Sequence, residues 1–348
     1  NTASAGGGGV MIHGDSAEAK ITGGRITGNT GRDGGGLLIE SGYLTLDKNA
    51  NVSGNNTNGS GAGILQKGGT LDFVNGNITG NKVLPDSSCG GGGILVTGGT
   101  LNMSGGTVSN NQSDTGGGIE AYGNSTVNIT GGTVSNNNAA SYGGGVYVHD
   151  KTAVATISNA TISGNTSPWA SGIFIWNEGS VTINENTLIT ENQTTGNNHG
   201  GGIYLLGGTL KMTGGTVSKN TAPLDAGGIF ISGGTATLEK DVKVTENSAG
   251  RCGGGISITD GTLTIDGATI SKNHATDDGG GINLSDGNIT LTSATVSENE
   301  SGQRGGGIFS CGNATLNIEK PERFDKTQKT NLYLIHMYIY FVALIYYQ

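Results

Sequence analysis

The chain has 348 residues, 68 of them glycine and only 13% charged, with four prolines and a formal net charge of −9. Its glycines follow no three-residue period, which excludes collagen, and glycine at this frequency excludes a helical protein. Lys and Arg are few and form no cluster, so a phosphate-binding surface and a nucleic-acid partner are excluded as well.

From the N-terminus, Asn1 precedes Val10 by nine residues, as Asn55 precedes Ile64, so the chain is expected to start within a repeat, truncated on its N-terminal side. A glycine-rich tripeptide followed by an aliphatic residue then recurs twelve times. Its aliphatic member falls at Val10, Leu37, Ile64, Ile94, Ile119, Val146, Ile173, Ile203, Ile229, Ile256, Ile282 and Ile308. A period of about 27 residues held this evenly means one supersecondary unit stacked along an axis, each unit needing only its neighbours. Residues 1–318 are therefore read as one repeat domain, 319–331 as a polar linker and 332–348 as an apolar, aromatic tail.

Three short segments are expected in each unit, and Ile94 to Asn111 displays them: Ile94-Leu95-Val96, Leu101-Asn102-Met103 and Val108-Ser109-Asn110-Asn111, with glycines between. Alternation over three to five residues bounded by glycine reads as short strands with sharp corners. Three strands in about 27 residues make one coil of a parallel β-helix, and a dozen coils at about 4.8 Å each make a rod of roughly 55–60 Å. Side-chain direction has period two, so pairs such as Ile173/Ile175 and Val181/Ile183 point inward and the residue between them points out. Gln66, Ala121 and Ser310 are exceptions among the inward positions.

The third segment repeats an Ile or Val, a Ser or Thr, a variable residue and an Asn through eleven units, from Asn29 to Asn299. The variable position holds Gly28, Glu191, Lys219, Glu246, Lys272 and Glu298, so it is expected to face water. Its Ser/Thr and Asn neighbours are expected to turn inward and satisfy backbone groups at a corner that tolerates left-handed dihedrals. The three cysteines, Cys89, Cys252 and Cys311, sit in different units; the last two start about 10 Å apart along the axis, too far for a disulfide.

Catalytic chemistry on such a rod needs acidic and basic groups projecting from neighbouring coils. Asp33, Asp114, Asp225, Asp277, Asp278 and His199 stand in the loop before the glycines, where solvated polar residues are expected in any case. No catalytic residue, metal site or cofactor is indicated. The outward positions of the first segment are more distinctive: Leu38, Leu65, Leu95, Glu120, Tyr147, Phe174, Tyr204, Phe230 and Phe309 are among them, with Tyr122, His149 and Trp176 two residues on from their row. The corresponding row of the second segment is polar throughout. Tyr147, Phe174, Tyr204 and Phe230 are thus expected to form a ring ladder flanked by Tyr122, His149 and Trp176. These seven residues are the candidate ligand-binding face, the alternatives being plain cross-strand stacking or cover by another part of the chain.

Gly-Gly-Gly-Ile at Gly91 to Ile94 and Gly-Ala-Gly-Ile at Gly61 to Ile64, paired with Ile/Val-x-x-Asn in the same unit, resemble the paired repeats of polymorphic outer-membrane-protein adhesins. Those carry Gly-Gly-Ala followed by an aliphatic residue, and Phe-x-x-Asn; here Ile or Val replaces the phenylalanine. The pattern is similar to many glycine-rich, pectin-lyase-like surface proteins. What the resemblance implies, over residues 1–318, is a right-handed parallel β-helix, secreted or at the cell surface, used as an adhesin or display rod for a host or environmental glycan or a surface protein. The alternative is a polysaccharide lyase or glycoside hydrolase of the same fold.

After Ile318 the repeat motif ends. Leu332 to Tyr347 is an apolar run of sixteen residues, short of the roughly 20 that span a bilayer as a helix. It reads as a membrane anchor, a cap on the open end of the rod, or out-of-frame sequence.

Overall fold

A computed structural model describes residues 1–84 and 90–319, together with the backbone strands Arg323–Phe324 and Leu332–Leu334. Every element among the described residues is a strand or an irregular connection, and the strand pairings are parallel. The coil that starts at Val146 is representative. Its strands are Val146–His149, Val154–Ile157, Thr161–Ser163 and Thr166–Ser167. Each strand pairs with its counterpart one coil on, as in Val146↔Ile173, Ala155↔Val181 and Ile162↔Ile189. Twelve first strands, from Val10–Ile12 to Ile308–Ser310, stack in this way, and the parallel β-helix expected from the period is the fold.

Among the described residues eleven coils have a fourth strand segment where three were expected, and in some, as at Ile94–Met103 and Ile229–Thr245, earlier segments run on as one strand. The fourth is two to five residues long, follows the asparagine, and builds a separate eleven-stranded sheet. Its inward residues are Thr57, Ser167, Thr194, Ala222 and Ala249, too small and too polar to produce a hydrophobic alternation.

The interior is a single column of aliphatic side chains running from Ile12 to Ile308. Burying one such side chain is worth about 1.5–3 kcal/mol, but only the coils above and below supply the contact, so one coil has nothing to bury against. Gln66 interrupts the column. Its Nε2 donates to the carbonyls of Gly69 and Thr100 at 3.1 and 3.0 Å, while Oε1 has no partner.

The asparagines form a continuous buried ladder from Asn29 to Asn299. At each step Oδ1 accepts from both the backbone N–H and Nδ2 of the asparagine one coil before. Asn137 thus receives Asn111 N at 3.0 Å and Asn111 Nδ2 at 3.0 Å, while its own Nδ2 donates to the Val108 carbonyl and to Asn165 Oδ1. The left-handed dihedral belongs to the residue before each asparagine, with φ of 55° at Asn136, 57° at Glu191 and 55° at Lys219. The Ser/Thr row does not turn inward as expected. It lies half-buried on the outer side, with hydroxyls linked between coils, as in Ser109 Oγ to Thr79 Oγ1 at 3.3 Å and Ser218 Oγ to Thr190 Oγ1 at 3.3 Å. Period two explains this, because Ile/Val points in, Ser/Thr out, and the left-handed residue then resets the phase so that Asn points in.

The glycine triplet and the asparagine recur together because they touch. A Cβ on Gly145, the last of its triplet, would stand 2.9 Å from Asn165 Nδ2 and 2.5 Å from the Gly172 carbonyl, so no side chain fits between the ladder and the next coil.

Backbone pairing continues past Ile318: Arg323–Phe324 pairs with the third strand Thr295–Ser297, and Leu332–Leu334 with the first strand Ile308–Ser310. Cys89 and most of the linker and tail readings fall outside the described residues. Cys252 and Cys311 are both free thiols.

Candidate functional site

From Gly34 onward the first residue of each glycine triplet is left-handed, with φ of 65° at Gly143 and, where alanine replaces glycine, 55° at Ala170 and 57° at Ala226. A Cβ on Gly143 would approach Tyr147 Cβ to 2.6 Å. This turn folds the residue just before the triplet back over the outward side of the first strands. The row before the triplets includes Thr115, Tyr142, Trp169, His199, Asp225, Cys252, Asp278 and Arg304, and it forms a lid on the row that was expected to face water.

Tyr147, Phe174, Tyr204 and Phe230 do form a ladder, with centroid separations of 5.1, 5.3 and 4.8 Å. They are not exposed, however, at 3, 1, 4 and 3%. Tyr142 lies 5.8 Å from Phe174, Trp169 6.0 Å from Tyr204 and His199 4.4 Å from Phe230, while Ala170 and Ala226 fill the space between. The open aromatic face expected from alternation is thus a second, smaller core outside the sheet. Burial, together with the carboxylate of Glu120, pushes the Tyr147 hydroxyl far above the usual phenol range, and burial pushes Tyr204 up to about 12 against a hydrogen bond with Ser232.

What remains accessible of the seven candidates is the edge of that face. Trp176 is 44% exposed, His149 and Tyr122 are partly covered, and the three occupy successive coils. His149 lies 4.9 Å from Tyr122 and 6.1 Å from Trp176, and it stacks on Tyr147 at 4.4 Å. Its Nε2 is 3.1 Å from Glu120 Oε1, and Thr115 Oγ1 donates to Glu120 Oε2 at 2.9 Å. Glu120 therefore anchors the histidine from within the second core.

Further along, the loop acids depart from the solvated reading. Asp225 and Asp278 are buried, and each is gripped through two oxygens by an arginine of the next coil. Arg251 Nε donates to Asp225 Oδ1 at 2.8 Å and its Nη2 to Oδ2; Arg304 Nε and Nη2 donate to Asp278 at 2.9 and 2.6 Å. His199 Nδ1 stands 3.2 Å from Asp225 Oδ2, and Cys252 N donates to Oδ1. An acidic and basic cluster on adjacent coils is therefore present where none was expected. Reading the residue before each triplet as one column brings together Asp278 with Arg304 and His199 with Asp225, Arg251 standing one place earlier; reading along the chain conceals the pairs, since partners are 26 residues apart.

The Asp225 carboxylate is held ionised. Burial pushes Asp225 up, but the hydrogen bonds from Arg251 and His199 outweigh it and bring the group to about 2. With its oxygens already engaged, it is a poor general base near neutrality. The folded-state value is below the unfolded carboxylate range of about 3.9, so the pair's stabilisation is present above about pH 4 and lost as pH falls towards 2. Acid unfolding of an Asp225→Asn, Arg251→Gln double variant is accordingly expected to show a weaker pH dependence between 4 and 2 than the parent chain, followed by circular dichroism. Burial also pushes the Cys252 thiol up to about 11, which leaves it unreactive at neutral pH.

The sequence matches a family described as a right handed beta helix region over residues 8–188 and 171–325. The chain belongs to that family. No curated protein and no solved structure matches it. For a right handed beta helix the arrangement above amounts to one aliphatic core within the coils, an aromatic core and a smaller Leu38–Leu65–Leu95 cluster outside the first sheet, and two accessible features on that face: the Tyr122–His149–Trp176 edge and the Asp–Arg pairs. Among the described residues no three His, Cys, Asp or Glu side chains converge as a metal site, and no helix is long and apolar enough to cross a membrane.

Proposed function

We propose that the chain is a non-enzymatic rod, displayed at the cell surface or outside the cell, that adheres to a glycan or a surface protein through Tyr122, His149 and Trp176. The observation that carries this reading is the exposure of Trp176 beside two further rings in successive coils. An indole left open to water on a rigid backing is what a contact surface requires. Tyr147, stacked on His149, and the buried cluster of Leu38, Leu65 and Leu95 against which Tyr122 packs hold two of the rings in place before a partner arrives, which lowers the ordering cost of binding. One ring per coil gives a spacing near 4.8 Å along the axis, so the partner is expected to run parallel to the rod.

A lyase or hydrolase reading needs a carboxylate free to take or give a proton, and Asp225 and Asp278 are both occupied by arginine. The test is a glycan array and cell-binding assay with the whole chain and with Trp176→Ser, alongside an assay for cleavage of pectin and related polyuronides. Saturable binding that falls at least about tenfold in the variant, with its melting temperature unchanged, is the expected result for a solvent-facing hot spot. Cleavage of a polyuronide, or equal binding by Trp176→Ser, would overturn the proposal.

A further inference from the structure

Beyond Phe230 the first-strand face changes character. In register along the axis stand Phe230, Ser257, Asn283 and Phe309, so two small polar side chains separate the last ring of the ladder from Phe309. Beside Asn283 lies a cleft of about 350 Å³ lined by Arg251, Asp278, Asn283, Ser285, Arg304 and Phe309, among others. Asn283, the buried polar side chain on its wall, donates through Nδ2 to Ser257 Oγ at 3.1 Å.

Its rim is electrostatically asymmetric. The Asp225 and Asp278 side chains are 3 and 8% exposed, whereas those of Arg251 and Arg304 are 50 and 42% exposed. A molecule entering from solvent meets guanidinium groups, with the carboxylates behind them. Each guanidinium has five N–H groups and directs two at its aspartate, which leaves three for a ligand. Arg304 is further fixed by lying over the Phe309 ring, 4.5 Å from its centroid. Each arginine is balanced by its own aspartate, so what this place offers an anion is the set of guanidinium N–H groups turned to solvent rather than a net positive patch.

We propose that this cleft binds a monosaccharide-sized anion, a pyranose bearing a carboxylate or a sulfate. Its oxyanion is held by Arg251 and Arg304, its ring occupies the cleft beside Asn283 and Phe309, and its hydroxyls are served by Asn283, Thr259 and Ser285. The volume lies at the small end of ligand pockets, which run from about 300 to 1,000 Å³, so one sugar ring is accommodated and a chain is not. The site lies four coils beyond Trp176 and stands independently of the adhesive edge.

The test is calorimetric titration of the whole chain at low salt with glucuronate, glucose 6-sulfate and glucose. Saturable binding of at least one anion, with none for glucose, is expected; which anion binds identifies the oxyanion. Asn283→Phe continues the ring row from Phe309 into the cleft and is expected to weaken binding by at least about tenfold by filling the space. Arg304→Lys keeps the charge but loses the fork, and is expected to weaken binding about tenfold as well; it carries the test should Asn283→Phe not fold. Failure of both anions to bind, equal binding of glucose, or undiminished binding by a folded variant would overturn the proposal.

Discussion

Replacing Asn137 with alanine is expected to lower the unfolding free energy by about 3–5 kcal/mol, far more than a polar residue in a turn ordinarily contributes. The size follows from counting what is stranded. The backbone N–H and Nδ2 of Asn111 both donate to Asn137 Oδ1, and the Val108 carbonyl accepts from Asn137 Nδ2; all are buried, and the coil is too tight for water to replace the amide. Each buried group left without a partner costs about 1–3 kcal/mol. Asn137→Asp sharpens the test, since it keeps the shape and the acceptor but removes the donor and turns an oxygen towards Asn165 Oδ1 and the Val108 carbonyl. It is expected to be at least as damaging as alanine at neutral pH and less so in acid, where the carboxyl regains a proton to donate. Urea unfolding at pH 7 and pH 4 measures both. A cost below about 1 kcal/mol for Asn137→Ala, the range of an exposed turn residue, would show that the ladder is decoration.

The ladder was legible before the structure because its motif is strict: one residue type, one spacing, eleven units. The inward aliphatic pairs were legible for the same reason, being dictated by period two. Three features were not, and each has a physical cause. The fourth strand carries its inward side on Thr57, Ser167 or Ala249, residues that leave no hydrophobic signal. The left-handed dihedral sits on the least conspicuous position of the motif, where Gly54, Asn110 and Lys219 adopt it alike because it faces solvent and suffers no crowding. The lid over the ring ladder escaped because alternation reports which side of a sheet a side chain takes, never whether another segment lies on that side. Tyr142, Trp169 and His199 each precede a triplet by one residue, and only the left-handed turn at the triplet's first position reveals that they double back.

The same lid turns a surface substitution into a core one. Phe174→Ala is expected to cost about 3–5 kcal/mol, the range for deleting a fully buried ring, whereas Trp176→Ser, two residues away on the edge, is expected to cost less than about 1 kcal/mol. Phe174 touches Tyr147, Tyr204 and Tyr142 at centroid distances of 5.1, 5.3 and 5.8 Å, so its removal opens a cavity that the neighbouring coils, fixed in register by their backbone pairing, cannot close. A row of rings standing in water would give the opposite order, with Phe174→Ala nearly neutral. Both tryptophans of the chain border this cluster, Trp169 in the lid and Trp176 on the edge, so intrinsic fluorescence during urea unfolding reads the affected coils directly. If Phe174→Ala unfolds at the parent's urea midpoint, the second core contributes no stability and the rings are a surface after all. If its midpoint drops while that of Trp176→Ser does not, two residues of one strand divide between core and surface: Phe174 holds the face together, and Trp176 stands on it without bearing its stability.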